Sequence, residues 1–93
     1  MKQRNIKYTG QFKKDVKLAE KRGLPVNELK TVLTKLINDQ FPLPPEWLDH
    51  PLTGPWKGYR DIHIQPDWLL LYKISDTELI FARTGTHSDL LKK

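Results

Sequence analysis

With 93 residues, the chain is long enough for one small domain, and we expect residues 1–93 to share a single core. The absence of cysteine excludes a disulfide scaffold, a thiol nucleophile and a cysteine-ligated zinc site, and it favours a cytoplasmic protein. The longest apolar run, from Trp68 to Tyr72, falls far short of the ~20 residues that cross a bilayer, so we expect no membrane partner.

The positive charge is concentrated near the N-terminus. Residues 1–35 carry ten lysines and arginines against three acidic residues, whereas residues 36–93 carry six against eight. Such an excess in one third of the chain indicates a surface that binds phosphates or an acidic protein. The alternative is a solvated face that only keeps the protein soluble.

The N-terminal third predicts a strand followed by a helix. Period-two alternation indicates a short strand over 5–9, and a helix over about 10–22 would begin after Thr9 and end at Gly23. The i, i+4, i+7 spacing gives this helix one apolar stripe, formed by Phe12, Val16 and Ala19. Its opposite side carries four lysines, which are Lys13, Lys14, Lys17 and Lys21.

A second helix and an ordered loop follow. Pro25 suits the first turn of a helix over about 25–38, whose apolar stripe consists of Leu29, Val32, Leu33, Leu36 and Ile37. Together the two amphipathic helices form a helical hairpin. Proline keeps segment 40–50 from being a helix or a central strand, so we expect a loop there that is anchored by Phe41 and Trp47.

The rest of the chain has the alternation that is typical of strands. Three strands are predicted over 59–65, 68–75 and 78–85, with two-residue turns between them at 66–67 and 76–77. A shorter strand is expected near 51–57, and a last helical turn from Ser88. The predicted fold class is α+β, with an N-terminal strand and a two-helix hairpin packed on one face of a small antiparallel β-sheet.

Two-residue turns would place His63, Leu70 and Arg83 in one row across three strands, although one β-bulge would break that row. The face with this row is then open and presents Tyr59, Asp61, His63, Tyr72, Phe81 and Arg83, with Trp68 at the turn end. The more uniformly apolar face would lie under the helices and consists of Ile62, Ile64, Leu69, Leu71, Ile80 and Ala82. Aromatic rings mixed with cations suit single-stranded RNA.

The chain has three histidines, His50, His63 and His87. Cleavage of RNA by its own 2′-hydroxyl needs a base for that proton, an acid for the departing 5′-oxygen and a cation for the phosphorane charge. Histidine suits both proton transfers, and Arg83 suits the charge. The alternative is that the histidines are ordinary surface or half-buried residues. No pair of them has helical ligand spacing, so we expect no metal or other cofactor.

A family resemblance is carried by His63 and by five segments of the chain. These segments are 8–19, 49–54, 56–61, 66–68 and 83–87. These segments resemble the motifs of YafQ-type toxins, which belong to the RelE superfamily of bacterial type II toxin–antitoxin systems. The resemblance covers almost the whole chain with little shift in spacing. It is therefore more specific than any single motif.

The resemblance implies a RelE-like fold and a ribosome-dependent mRNA endonuclease that enters the A site, cuts translated message and so inhibits translation. It implies a cognate antitoxin, similar to DinJ, and operator DNA that is bound only through the toxin–antitoxin complex. The basic side of the first helix would then face ribosomal RNA.

The family's active-site positions that match here are His50, His63, Asp67, Trp68, Arg83 and His87. The resemblance implies that His87 is the proton donor, and the base stays open among His50, His63 and Asp67. Trp68 would contact substrate, the open sheet face adds Tyr59 and Phe81 as candidate contacts, and the basic and aromatic run 56–60 adds Arg60. Leu91 stands where the family pattern has an aromatic residue.

Two functions of other classes stay open. A non-enzymatic toxin that resembles ParE would bind and block a topoisomerase, although three histidines at family positions argue against it. A basic RNA-binding module would bind message without turnover.

Overall fold

The computed structural model describes residues 4–91, which form one five-stranded sheet with three α-helices. In chain order the elements are β1 (Asn5–Tyr8), α1 (Gly10–Lys21), α2 (Val26–Ile37), β2 (His50–Pro51), β3 (Arg60–Gln65), β4 (Trp68–Ile74), β5 (Glu78–Gly85) and α3 (His87–Leu91). The strand order in the sheet is β1-β5-β4-β3-β2. The predicted α+β class and the helical hairpin are confirmed. None of the described helices is long and apolar enough to span a bilayer.

Thr9 fixes the start of α1, as the sequence predicts. Its Oγ1 accepts a hydrogen bond from the N–H of Phe12 at 2.9 Å and donates one to the carbonyl of Ala82 at 2.7 Å. The helix ends at Lys21, and Gly23 follows with a φ of 76°. Glycine adopts this left-handed conformation without steric cost, so it is suited to ending the helix.

The sheet is mixed and not wholly antiparallel, which corrects the prediction. β1 pairs in parallel with β5, whereas the other neighbouring strands are antiparallel. Only Thr9 separates β1 from α1, and its N–H donates to the carbonyl of Phe81 at 3.2 Å. β1 therefore ends beside Phe81 of β5, and α1 begins there.

The main core lies between the helical hairpin and one face of the sheet. The helices contribute buried side chains from both predicted stripes, while Val16 and Leu33 are half-buried and Ile37 is 38% exposed. The buried members of this core are Phe12, Ala19, Leu29, Val32, Leu36, Ile62, Ile64, Trp68, Leu70, Tyr72, Leu79 and Phe81. In the proline-rich loop Trp47 packs against this core as predicted, but Phe41 is 47% exposed and does not anchor it.

The predicted row of His63, Leu70 and Arg83 is wrong. His63 lies opposite Leu69, and Arg83 lies opposite Leu71. The register is irregular in both the β3–β4 and the β4–β5 pairings, because β3 and β5 each carry one extra residue. His63 and Arg83 still point to the same side of the sheet, since Leu69 and Leu71 lie two residues apart on one strand.

The extra residues also decide which side chains are buried under the helices. Tyr72 and Phe81 were expected on the open face, but they lie in the main core and are 1% and 0% exposed. Leu69 and Leu71 were expected under the helices, but they lie on the other face. At Ala82 the alternation of β5 is interrupted, so Phe81 and Arg83 point to opposite faces although they lie two residues apart.

The second face of the sheet is partly covered, not open. Leu90 of α3 packs on Leu69 and Leu71, and Leu52, Trp56 and Leu91 pack around them. This second, smaller cluster brings the start of α3 close to the end of β3. It therefore leaves only part of the face, near His63, free for a ligand.

Candidate active site

The fold brings the three histidines side by side, although they lie far apart in the sequence. His50 comes from β2, His63 from β3 and His87 from the first residue of α3. The ring centroids of His50 and His63 are 6.1 Å apart, and those of His63 and His87 are 5.6 Å apart. His63 is thus the middle member of a continuous row of three imidazoles, a grouping that suits proton transfer at two ends of one phosphate.

His87 is held by Asp67 from the β3–β4 turn. Its Nδ1 lies 2.6 Å from the Asp67 carboxylate, and its backbone N–H donates to the same oxygen at 3.0 Å. These hydrogen bonds from His87 lower the pKa of Asp67 below its ordinary value, so the carboxylate is ionised. An ionised carboxylate can only accept, so Nδ1 carries a proton and Nε2 is left for a substrate.

A short capping motif places His87 at the start of α3. Thr86 Oγ1 accepts from the N–H of Asp89 at 3.1 Å, and Asp89 accepts from the N–H of Thr86 at 3.1 Å. This reciprocal arrangement satisfies two backbone donors at the helix start. Arg22, just beyond α1, also donates to Asp89 at 2.7 Å, so the position of His87 is tied to the helical hairpin.

His50 has a fixed orientation as well. Its Nδ1 lies 2.6 Å from the carbonyl oxygen of Leu48, and a carbonyl can only accept, so Nδ1 carries the proton. The Nε2 atom then presents a lone pair when the ring is neutral. This nitrogen lies 3.7 Å from the Oδ2 atom of Asp61.

Asp61 lies beside the histidines as well, although the sequence alone indicates no chemical role for it. It is 2% exposed and lies directly opposite His50 in the β2–β3 pairing. Burial raises the pKa of its carboxyl, while the neighbouring histidines act in the opposite direction. Its spacing of two residues from His63 places both side chains on one face, and that signal is visible in the sequence.

His50, Asp61 and His63 could together hold a metal ion. Each offers one ligand atom, and these atoms lie within 4.8 Å of one another. The sequence predicts no metal site, because the three residues come from two strands and have no helical ligand spacing. Strand pairing, and not local spacing, brings them together.

Arg83 is not in contact with the histidines among the interactions of the described residues. Its Nε and Nη2 atoms both donate to the buried Asp15 carboxylate of α1, each at 3.0 Å. Hydrogen bonding to Asp15 raises the pKa of Arg83, which is already above neutrality, so its charge is permanent. The sequence places Arg83 correctly on the face with His63 but gives no sign of Asp15 as its partner.

Two of the predicted substrate contacts are contradicted by burial. Trp68 is 2% exposed and Phe81 is 0% exposed, and both rings pack in the main core. A ring enclosed in the core has no face on which a base can stack. The register irregularities of β3 and β5 explain the error, because they turn both rings away from the histidines.

The other two predicted contacts lie nearer the surface. Tyr59 is half-buried and packs edge-on against Trp56 at 5.2 Å, with the Lys73 ammonium 5.7 Å from its ring centroid. Arg60 donates from Nε to one Asp49 oxygen at 3.1 Å and from Nη2 to the other at 3.0 Å. Arg60 therefore helps to hold the loop that precedes His50, and its exposed part remains available to a substrate.

The four lysines of α1 are all exposed, as predicted, and they are Lys13, Lys14, Lys17 and Lys21. Beside His63, the middle member of the histidine row, lies an open groove of about 620 Å³ that is also lined by Glu28, Glu46, Trp47, Leu48, Ile64, Gln65 and Pro66. The surface thus offers a basic helix face and a groove beside the imidazoles.

Comparison with known proteins identifies the family. A family model described as a bacterial toxin of type II toxin–antitoxin systems, YafQ, matches residues 4–92. The chain is 58% identical over 90 residues to the mRNA interferase toxin YafQ of Escherichia coli K12, which covers 97% of this chain and 98% of the relative.

Two solved structures have the same fold. The crystal structure of YafQ from E. coli BL21(DE3) has a TM-score of 0.93 and 57% identity, covering 95% of this chain and 98% of that chain. A chain of the E. coli DinJ–YafQ toxin–antitoxin complex has a TM-score of 0.90 and 58% identity, covering 95% of this chain and 97% of that chain. The chain therefore belongs to the YafQ family of bacterial toxins of type II toxin–antitoxin systems.

Proposed function

We propose that the protein is an mRNA interferase, an endoribonuclease that cuts translated message in the ribosomal A site and so inhibits translation. The relative of E. coli K12 carries the name mRNA interferase toxin. The observation that supports the proposal best is the row of three imidazoles with His87 hydrogen-bonded to an ionised Asp67. That row supplies both an acid and a base for acid–base cleavage of a phosphodiester.

His87 is the general acid of the proposed reaction. The 2′-oxygen attacks phosphorus, the bond from phosphorus to the 5′-oxygen breaks, and Nε2 of the imidazolium gives its proton to the departing oxygen. Asp67, 2.6 Å from Nδ1, orients the ring and compensates its positive charge. The products are a 2′,3′-cyclic phosphate and a free 5′-hydroxyl.

His50 is the general base. The Leu48 carbonyl holds its Nδ1, so the neutral ring directs Nε2 outward as an acceptor for the 2′-hydroxyl proton. Asp67 is a poor base because its pKa is lowered and because its Oδ1 atom already accepts a hydrogen bond from His87. His63 lies between the two rings, where it can bind the phosphate that both of them serve.

Arg83 provides positive charge to the phosphate. Asp15 takes the Nε and Nη2 donors along one edge of the guanidinium. The Nη1 donors at the other end of the guanidinium remain for a phosphate oxygen in this proposal. Its charge would offset the negative charge that develops on the phosphorane oxygens.

The ribosome presents the message to this small site. A domain of this size has little surface for reading sequence, so a ribosome that holds the message in register would supply most of the orientation. The exposed lysines of α1 bind ribosomal RNA in this proposal, and Tyr59 and Arg60 contact the message. A DinJ-like antitoxin is the cognate partner, by analogy with the E. coli complex, and operator DNA is bound only through that complex.

Primer extension tests the proposal. Message in a translating extract and the same RNA free in buffer are each incubated with the protein and with His87→Gln. We expect cuts in the translated message alone, and none with His87→Gln. Equal cutting of both RNAs would contradict ribosome dependence. Absence of cutting in both would favour the topoisomerase-binding class, and ribosome binding without cutting would favour a module without turnover.

A further inference from the structure

We propose that Asp49 is a positioning residue for His50, and that Tyr72 of β4 and Arg60 of β3 hold the Asp49 carboxylate in place for that task. The inference rests on the proposed function in one respect, which is the assignment of His50 as the base. The fixed orientation of the His50 ring is a separate property, and it can be measured without cleavage.

Backbone pairing alone holds His50 weakly. β2 has two residues and pairs with β3 at two positions only, and its second residue, Pro51, has no N–H to donate. The side chain of His50 is 48% exposed, so little packing restrains it. A side chain on so short an edge strand needs a further contact if it is to keep one direction.

The residue before His50 supplies that contact. The Asp49 carboxylate accepts hydrogen bonds from the Tyr72 hydroxyl at 2.7 Å, from Arg60 Nε at 3.1 Å and from Arg60 Nη2 at 3.0 Å. The carboxylate side chain is 20% exposed, so water competes little for these bonds. Arg60 and Tyr72 lie directly opposite each other in the β3–β4 pairing. One carboxylate therefore ties the start of β2 to two neighbouring strands.

Asp49 and His50 use opposite sides of the sheet. The Tyr72 ring that binds Asp49 belongs to the main core under the helices and is 1% exposed. His50 lies beside His63, which points to the other side. Because Asp49 and His50 are consecutive, a rotation of the backbone at Asp49 would turn the imidazole out of the histidine row. Anchoring the carboxylate opposes that rotation.

The same anchor accounts for the position of the proton on the His50 ring. Leu48 has a φ of 50°, a left-handed conformation that a residue other than glycine keeps only where its surroundings impose it. In this conformation the Leu48 carbonyl lies 2.6 Å from Nδ1 of His50. The proton is then on Nδ1 and the lone pair on Nε2, as the proposed base requires. Loss of the Asp49 bonds would release Leu48 as well, and the proton could then pass to Nε2.

Nitrogen nuclear magnetic resonance of the full-length protein tests the positioning, at a pH where the histidines are neutral. Tyr72→Phe removes one hydroxyl from a core ring, and Asp49→Asn weakens all the anchoring bonds. Tyr8→Phe is the matched control, because it makes the same change on β1, at the opposite edge of the sheet. The unprotonated nitrogen of His50 should be Nε2 in the native chain and in Tyr8→Phe.

In Tyr72→Phe a measurable share of His50 should carry its proton on Nε2, and in Asp49→Asn a larger share. An unchanged tautomer in both variants would overturn the proposal. A change in Asp49→Asn alone would exclude Tyr72 from the anchor.

Single-turnover cleavage on programmed ribosomes tests the consequence for the reaction. The rate should fall about tenfold for Tyr72→Phe and about a hundredfold for Asp49→Asn, and stay within about twofold of native for Tyr8→Phe, because a misdirected base is costly even when it is present. Ribosome binding by Tyr72→Phe should be unchanged, since a ring that is 1% exposed cannot contact RNA. Arg60 is not varied, because the proposed function also places it at the message.

The two measurements separate the possible failures. A fall in rate with an unchanged His50 tautomer, together with a lower melting temperature, would assign Tyr72 and Asp49 to stability and overturn the positioning role. A changed tautomer with an unchanged rate would overturn the link between His50 and the reaction. If the native protein does not cut at all, the proposed function fails, while the resonance data still decide whether Asp49 orients His50.

Discussion

Asp15 of α1 and Arg83 of β5 form a two-pronged ion pair, with Nε–Oδ2 and Nη2–Oδ1 distances of 3.0 Å. The same carboxylate accepts the backbone N–H of Thr84 at 3.2 Å. Asp15 is 7% exposed, so the pair is shielded from water on the carboxylate side. Asp15 thus joins α1, which carries the proposed ribosomal contact, to β5, which carries the proposed phosphate contact.

Asp15→Asn should destabilise the protein by about 2 kcal/mol, because a buried charged hydrogen bond is lost and Arg83 keeps an uncompensated charge. Urea unfolding of Asp15→Asn, Arg83→Gln and the double variant gives the coupling energy, which we expect at about 1–3 kcal/mol. Glu20→Gln, an exposed acid of the same helix, is the control and should change stability by less than about 0.5 kcal/mol. A coupling energy near zero would show that the pair contributes nothing.

Arg83→Lys should give a partial defect in cleavage. Lysine keeps the charge but cannot bind Asp15 with two nitrogens and a phosphate with a third. Single-turnover rates on programmed ribosomes should fall less for Arg83→Lys than for Arg83→Gln. If both variants cut at the parental rate, Arg83 has a structural role only.

His87→Gln should lower the rate of cleavage by ~10²–10⁴-fold, because the 5′-oxygen then leaves without a proton. Ribosome and antitoxin binding should be retained. Thermal melts beside single-turnover cleavage separate this role from a structural one, in which the variant would melt earlier and cut normally. A stable variant that cuts at the parental rate would transfer the acid to His50 or His63.

Replacing the four exposed lysines of α1 by glutamine should weaken ribosome binding and flatten its salt dependence. Each lost phosphate contact lowers the log–log slope by about 0.7, because fewer counterions are released. The fold should survive, since the apolar stripe of α1 is unchanged. Lys30→Gln/Lys57→Gln removes exposed charge elsewhere and is the control. Unchanged binding at every salt concentration would assign the lysines to another partner, such as the antitoxin.

Asp89 gives the protein a pH-dependent stability in acid. Hydrogen bonds from Arg22 and from the backbone of Thr86 lower its pKa from 3.8 to about 2. Because the folded-state pKa is the lower one, the stabilisation is complete above about pH 4 and is lost as the pH falls through about 2. The difference in unfolding free energy between the native chain and Asp89→Asn should therefore shrink between pH 4 and pH 2. A difference that stays constant over this range would contradict the assignment.

The sequence predicts the elements well because their signals are local. Thr9 and Gly23 mark the ends of α1 through cap and turn chemistry, and the 3–4 spacing of apolar residues identifies the buried stripes. The histidines could be selected as candidates from their chemistry and from the resemblance. Their mutual placement could not, because it depends on strands that pair over long separations.

The errors have one physical origin. An extra residue in β3 and another in β5 change which side chains face the helices. No local sequence pattern indicates either extra residue. Regular alternation therefore predicts Phe81 on the open face as a substrate contact, although it fills the core. Asp15 was missed for a related reason, since its partner Arg83 lies 68 residues away.

The two-residue strand β2 has a consequence for how the protein behaves in a crowded solution. An edge strand normally offers a row of free backbone groups to which another chain can add. Here the edge is only His50 and Pro51 long, and proline has no N–H to donate. At this margin the sheet can thus keep a reactive imidazole within reach of a large substrate, while β2 itself gives a second copy almost no backbone groups with which to pair.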